Sequence, residues 1–303
     1  MPAQLDIRDP VASALRAQQP VVALESTLIA HGLPWPLNFE TARSAEAAVR
    51  EEGGVPATIA VWHGQLTVGL ADSEIEKLAQ SKAVLKASRR DLALAVAQGQ
   101  TAATTVAATL FLAHLAGIRV LATGGIGGAH RGTPHSWDVS ADLAELARTP
   151  VAVVCAGAKS MLDIPRTLEI LESESVPVIG YRTNEFPAFH LRSSGEPVPA
   201  RVDTAREAAA LLKTHWQLNG AGVVLAQAVP ADVAMEPQEY EKAFSEADKL
   251  AQEDSITGPA LTPFLLAKLA EITDGKTLHA NRALVIANAH LAARIAVEFS
   301  NLH

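Results

Sequence analysis

Short runs rich in valine, isoleucine and leucine punctuate this chain, and a helical pattern or a capping signal follows most of them. The runs are Val21–Leu24, Thr58–Trp62, Leu66–Gly69, Val84–Ala87, Val120–Thr123, Val151–Ala156, Val178–Tyr181 and Val223–Ala226. Most are continuously apolar rather than alternating, as strands buried on both faces require. Interleaved with helices, such strands form a parallel sheet joined by crossover connections. The expected fold class is therefore α/β, a mainly parallel central sheet with helices on both faces (α/β/α). Ala57–Gly69 departs from the crossover rule. Its two runs meet at His63-Gly64, where glycine readily supplies positive φ, so a small β-hairpin is expected there.

Capping signals place the helices. Thr204 with Glu207 makes a capping box before Ala208–Trp216. Thr262-Pro263 reads as an N-cap and a first-turn proline opening Phe264–Ile272. Ser140 is placed to cap Ala141–Ala147, and Thr101–Ala116 reads as a helix ending at Gly117. The tail, Ala283–Phe299, spaces Leu284, Ala287, Leu291 and Ile295 at helical intervals, so a packed helix is expected. Pro187–Pro199 is the most loop-like stretch and too short for a linker, so one domain is expected over residues 1–303.

The chain has 303 residues, 49% hydrophobic and 19% charged, enough for a large core. Its net charge of −8 gives no general attraction to nucleic acid, so no nucleic-acid partner is expected. No run approaches the roughly 18 consecutive apolar residues of a bilayer span, so no membrane association is expected. Met1–Pro10 lacks an apolar signal core, and a single cysteine suits a reducing compartment; a cytoplasmic protein is expected. Cys155 falls inside an apolar run and reads as a small core residue.

Val151–Ser160 (Val-Ala-Val-Val-Cys-Ala-Gly-Ala-Lys-Ser) carries the first chemical signal. Lys159 stands where a buried strand is expected to give way to a helix, and lysine is costly to desolvate unless its amine is used. Desolvated beside a second cation such as Lys86, the free amine would be favoured and could attack a carbon centre. Taken alone, this lysine does not identify a nucleophile. Glu25 follows directly on Val21–Leu24 and opens a Gly/Pro-rich loop. It reads as a surface or capping acid, or as a general acid/base whose pKa burial would raise. Lys86-Ala-Ser-Arg-Arg-Asp91 reads as a solvated basic turn or as an anion site beside a helix start.

Gly124-Gly-Ile-Gly-Gly128 is not a dinucleotide fingerprint. His130 stands where the third glycine should be, and no acid ends a strand about 20 residues later. No Gly-Lys-Ser/Thr follows either, so a Walker-type loop fails. The glycines are expected to let the backbone approach a small ligand. His130, His135, Asp138 and Asp142 follow; a carboxylate beside that loop suits a hard divalent ion held partly by water. The set is too sparse for structural zinc.

Taken together, these segments resemble the pseudouridine-5′-phosphate glycosidases, from about Val21 to Glu298. The resemblance rests on Val-Val-Ala-Leu-Glu-Ser-Thr (21–27), Val-Pro-Ala-Thr-Ile-Ala (55–60), Ser-Arg-Arg-Asp-Leu (88–92) and Ala-Thr-Thr-Val-Ala-Ala (103–108). Further along come Ala-Thr-Gly-Gly-Ile-Gly-Gly (122–128), Ser-Ala-Asp-Leu (140–143), Val-Val-Cys-Ala-Gly-Ala-Lys-Ser (153–160) and Thr-Pro-Phe-Leu-Leu-Ala (262–267). It implies reversible cleavage of the C–C glycosidic bond of pseudouridine 5′-phosphate to uracil and ribose 5-phosphate, with a divalent metal, typically Mn²⁺. By position, it implies Lys159 as the lysine bonded to C1′ of the sugar, Glu25 as the proton donor and Asp138 as the metal ligand. Lys86, Val106, Ser140, Ala141 and Asp142 match substrate-binding positions, with Lys86 the phosphate partner. Thr123 and Asn281 fall near the sugar and base contacts. A homotrimer is also implied.

Two other classes stay open at this point. Another lysine-dependent lyase or aldolase on a phosphosugar would use the same lysine, phosphate site and metal. A non-catalytic binder of a nucleoside monophosphate would release no product. A nucleoside hydrolase would need an aspartate-rich calcium cage that this sequence does not show.

Overall fold

The computed structural model describes residues 5–131, 138–256 and 258–302. Its strands are β1 (Leu5–Ile7), β2 (Val21–Leu24), β3 (Val55–Trp62), β4 (Gln65–Val68), β5 (Leu85–Ala87), β6 (Ala102–Thr104) and β7 (Val120–Ala122). Beyond them lie β8 (Ala129–His130), β9 (Ala152–Cys155), β10 (Leu162–Asp163), β11 (Val178–Tyr181), β12 (Ala200–Val202) and β13 (Val223–Gln227). The main sheet runs β1-β4-β3-β2-β7-β9-β13-β11-β12, with β6 beside β3 and β5 beside β6. From β3 through β12 along that order every pairing is parallel, as continuous apolar runs predict.

Alternation along each strand divides the core. Val22, Leu24, Ala122, Val154 and Leu225 pack on one face. There they meet the helices Leu37–Glu51, Ala205–Gln217 and Lys276–Ser300. Ala23, Leu121, Val153, Cys155 and Val224 turn to the other face, beside Val106–Ala116 and Ala141–Leu146. Each valine or leucine buried this way stabilises the fold by about 1.5–3 kcal/mol relative to exposure. Cys155 is one of them, wholly buried, and burial pushes its thiol up to about 12. The helix Lys276–Ser300 is long and apolar enough by length and composition to cross a membrane, yet half of that stretch is buried in the fold.

The hairpin forms as expected, with His63 and Gly64 both at positive φ (48° and 77°). Other boundaries differ. Thr101–Ala116 is not one helix: Ala102–Thr104 pairs with β3 and β5, and the helix begins at Val106 with Thr105 as its N-cap. Alanine favours helix, but β3 offers this segment backbone partners, and tertiary pairing overrides propensity. Thr262 is not an N-cap, because the helix already begins at Leu261. Lys159 does not sit at a strand–helix junction either. Between β9 and the helix Ile164–Ser173 the chain makes a loop and the short strand β10, which pairs with β8.

Candidate active site

The strand order reverses at β2. From β2 the chain passes to β3 on one side, while β7 on the other side of β2 leads on to β9. Loops leaving the carboxyl ends of β2 and β7 therefore diverge, and such switch points leave a crevice for ligands. Glu25 follows the end of β2, and Thr123 follows the end of β7. The Thr123 hydroxyl donates to Glu25 Oε1.

The residues after Glu25 explain its placement. The Ser26 hydroxyl donates to the Ile59 carbonyl at 2.6 Å and accepts from the Thr104 amide at 2.9 Å. The Thr27 hydroxyl donates to the Thr104 carbonyl at 2.7 Å. Two hydroxyls thus tie the loop to β3 and β6, and Glu25 is left facing the crevice. Burial raises its pKa above the ordinary carboxylate range, with Asp142 adding to the rise. Lys159, the Thr123 hydroxyl and Lys86 pull the other way.

Lys159 enters from the loop after β9. Its amide donates to the Ile126 carbonyl at 3.2 Å, and the Ile126 amide donates to the Gly157 carbonyl at 3.0 Å. Gly157 makes the turn possible: its φ is +75°, and a Cβ there would strike the Pro187 carbonyl. The glycine loop after β7 is likewise packed. A Cβ on Gly127 would collide with Ser140 and Asp142, and one on Gly125 with Phe189. These glycines admit neighbouring protein groups, and Gly124, Gly125 and Gly127 also line the crevice and its narrower lobe.

Asp142 explains much of that packing. One of its oxygens accepts from the Gly127 amide (2.9 Å), the other from the Ala107 amide at the start of Val106–Ala116 (2.8 Å). It is buried and ties the glycine loop to a helix N-terminus. The Lys86-to-Asp91 segment divides its cations. Lys86 and Arg90 line the crevice, whereas Arg89 bonds Glu145 at 2.5 Å and lies over the Phe111 ring at 4.0 Å. Burial, and then the charge of Lys159, hold the Lys86 amine below its ordinary range, against Asp142 and Glu25.

The crevice encloses about 330 Å³ and brings together Glu25, Lys86, Val106, Asp138, Ser140, Ala141, Asp142 and Lys159. A narrower lobe opens beside Glu25, Lys86 and Lys159, and Asn281 lines it. Thr123 reaches the site through Glu25. His135 lies outside the described residues. Among those described, no three His, Cys, Asp or Glu side chains gather closely enough to cage a metal ion. Asp138 stands on the wall near His130, a donor set that fits a hard ion held by one carboxylate and mostly by water.

Several residues here escaped the sequence reading. Thr27, Thr105 and Thr262 also line the crevice, beside Ser88 and Arg90 of the segment read as an anion site. His31, Phe189 and Leu266 line the narrow lobe. Asn288, fully buried on the C-terminal helix, donates to the carbonyls of Thr123 (2.8 Å) and Gly124 (3.3 Å). An asparagine on the apolar side of a helix between Leu284 and Leu291 was the available signal for it.

Residues 10–298 match the family described as indigoidine synthase A like protein. A pseudouridine-5′-phosphate glycosidase of Caldanaerobacter subterraneus subsp. tengcongensis is 53% identical over 99% of this chain and 98% of its own. A pseudouridine-5′-phosphate glycosidase 2 of Rhizobium johnstonii is also 53% identical, over 96% of this chain and 95% of its own. Among solved structures, the prealnumycin C-glycosynthase in complex with ribulose 5-phosphate superposes with a TM-score of 0.90 at 40% identity, covering 98% of this chain and 97% of that one. An indigoidine synthase A-like protein of Thermotoga maritima gives 0.89 at 36% identity, covering 98% and 96%.

Proposed function

This chain belongs to the pseudouridine-5′-phosphate glycosidases of the indigoidine synthase A-like family, enzymes acting on a C-glycosidic bond, and from that premise we propose how its own residues do the chemistry. The observation that carries the reading is the meeting of a half-buried acid, Glu25, and an amine, Lys159, in one crevice with a second cation, Lys86.

Ordinary glycosidases protonate an oxygen or nitrogen leaving group between paired carboxylates. Here the leaving atom is carbon C5 of uracil, which departs poorly by that route. An amine opens another. Glu25 protonates the ring oxygen as the C1′–O4′ bond breaks, and the base loses its N1 proton as C1′ becomes doubly bonded to C5. The Lys159 amine adds to C1′, and N1 regains a proton. Protonation at C5 then breaks the C1′–C5 bond; uracil leaves, and the nitrogen lone pair forms an iminium with C1′. Water hydrolyses it, releasing ribose 5-phosphate and the free lysine. The raised Glu25 pKa supports a carboxyl that holds its proton more firmly than an exposed one.

Lys86, Arg90 and the start of the helix Val106–Ala116, beside Ser140 and Ala141, hold the 5′-phosphate. Binding energy collected there fixes the sugar against Lys159. Asp138, with water, would hold Mn²⁺, which neutralises negative charge and orients the substrate when bound. A homotrimer remains part of the proposal. The test is to incubate the protein with pseudouridine 5′-phosphate and Mn²⁺, with and without borohydride, and to weigh the products. Uracil and a pentose-phosphate adduct on Lys159 are expected. Uracil without an adduct would remove the iminium, and no uracil would remove the activity.

A further inference from the structure

Among the described residues, buried side-chain atoms left without a hydrogen bond are few, and two of them, His31 Nε2 and Asn281 Oδ1, belong to residues lining the same narrow lobe. His31 sits on a π-helical turn, Leu28–Gly32, which follows directly on the loop holding Glu25. That turn is braced from behind, since the Asn38 side chain donates to the Ile29 carbonyl (2.7 Å) and the Ala79 carbonyl (2.9 Å). Lys159, Gly124, Gly125 and Phe189 line the same lobe. Phe189 holds a backbone φ of +58°, a conformation that a bulky residue keeps only where its surroundings impose it.

A carboxamide oxygen and an imidazole nitrogen, which accepts when the other ring nitrogen carries the proton, both unpartnered in one lobe, call for a ligand with two donors on one edge. Uracil joined to ribose through C5 has that edge, because both N1–H and N3–H remain free on either side of the O2 carbonyl. Uracil joined through N1 keeps only N3–H. Ring opening further distinguishes the two donors: the N1 proton must leave as C1′ becomes conjugated with the base. An imidazole nitrogen can take that proton, and a carboxamide oxygen cannot. We infer that His31 Nε2 accepts the N1–H of a C5-linked uracil and takes its proton as the sugar ring opens, while Asn281 Oδ1 accepts N3–H. The narrow lobe thereby selects a C-glycoside over an N-glycoside. This rests on the reaction proposed above and adds to it a base, and a reason for specificity.

The electrostatics agree. Burial first, and the nearby Lys86 charge as well, keep the His31 imidazole below its ordinary range, against a weaker pull from the Leu85 carbonyl. The ring is then neutral at pH 7 and has an acceptor nitrogen to offer.

The experiment uses pseudouridine 5′-phosphate, its N1-methyl derivative, uridine 5′-phosphate and ribose 5-phosphate. Affinities are measured by calorimetry in a Lys159→Ala background, and turnover in the otherwise native enzyme. With His31 present, the N1-methyl and N-linked nucleotides should bind at least about tenfold more weakly than pseudouridine 5′-phosphate. In His31→Leu the three should bind within about threefold of one another, ribose 5-phosphate should bind as before, and kcat should fall at least about a hundredfold. His31→Gln, which can accept a hydrogen bond but cannot carry the proton, should keep the discrimination and still lose kcat. Discrimination surviving in His31→Leu, equal loss of ribose 5-phosphate binding, or a native kcat in His31→Gln would each overturn the inference. Failure of the native enzyme to release uracil would instead overturn the reaction on which it rests.

Discussion

Strands β2 and β7 have a cavity at each end, and the two cavities differ in size and in what lines them. At the carboxyl ends lies the crevice of about 330 Å³ with Glu25, Lys86, Asp138, Asp142 and Lys159 on its wall. At the amino ends, beside Val21 and Val120, lies a larger hollow of about 470 Å³ whose wall, among the described residues, carries a single charged side chain, Arg119. That arginine is already occupied. It donates to the Pro150 carbonyl at 3.0 Å and lies over the Trp216 ring at 5.1 Å. Volume alone would choose the wrong end. What marks the functional end is the convergence of groups whose protonation the neighbours disturb. It occurs there because side chains after a parallel strand project from loops free to diverge at the switch point.

The contrast can be broken by substitution. The largest effect is expected for Lys159→Ala, where turnover should fall at least about a thousandfold. Borohydride trapping should vanish while the melting temperature holds. Substantial residual turnover would show that the amine at the carboxyl end is not the nucleophile. Next comes Glu25→Gln, expected to lower kcat by about 10²–10⁴ with little change in KM; a change confined to KM would make Glu25 a binding group.

The same substitution should also alter stability with a definite sign. Because the folded protein holds the Glu25 proton above the ordinary carboxylate pKa, native stability declines as pH rises from that ordinary value through the raised one. Glu25→Gln lacks that decline. Its melting temperature relative to the native protein should climb as pH rises above the ordinary carboxylate range, and a flat difference would contradict the assignment of a raised acid.

Lys86→Met should weaken binding of 5′-phosphorylated ligands by about ten- to a hundredfold, the range of a charge-assisted hydrogen bond. An equal loss for the unphosphorylated nucleoside would place the phosphate elsewhere. The smallest effect belongs to the other end of the sheet. Arg119→Met should leave kcat unchanged and cost about 1 kcal/mol of stability in denaturant melts. A fall in kcat would mean that the two ends are not independent.

Much of this site was legible as residues along the chain. Glu25, Lys86 and Lys159 each stand in or just after an apolar run, in company unusual for a strand end, and Asp138 follows the glycine-rich segment. Their partners were less visible. Asn288 lies far along the chain from the Thr123 carbonyl that it holds, and Phe189 from the glycines it covers. His31 was passed over because a histidine in a Gly/Pro-rich loop carries no periodic signal, and only a folded chain can leave its ring nitrogen without a partner. The error over Thr101–Ala116 has the same origin, since short alanine-rich segments become strands only when a neighbour such as β3 offers a ladder.

The sequence by itself determined the architecture: apolar runs too uniform for one-sided strands, separated by capped helices, can hide both faces only in a parallel sheet between helical layers. It also determined which side chains were chemically available. Tertiary structure alone decided which of them meet, because the strand order, and hence the place where loops diverge, depends on pairings between distant segments that no local pattern encodes. It also decided their chemical state, since the raised acid at Glu25 and the unpartnered nitrogen of His31 exist only once neighbours from across the fold exclude water from them.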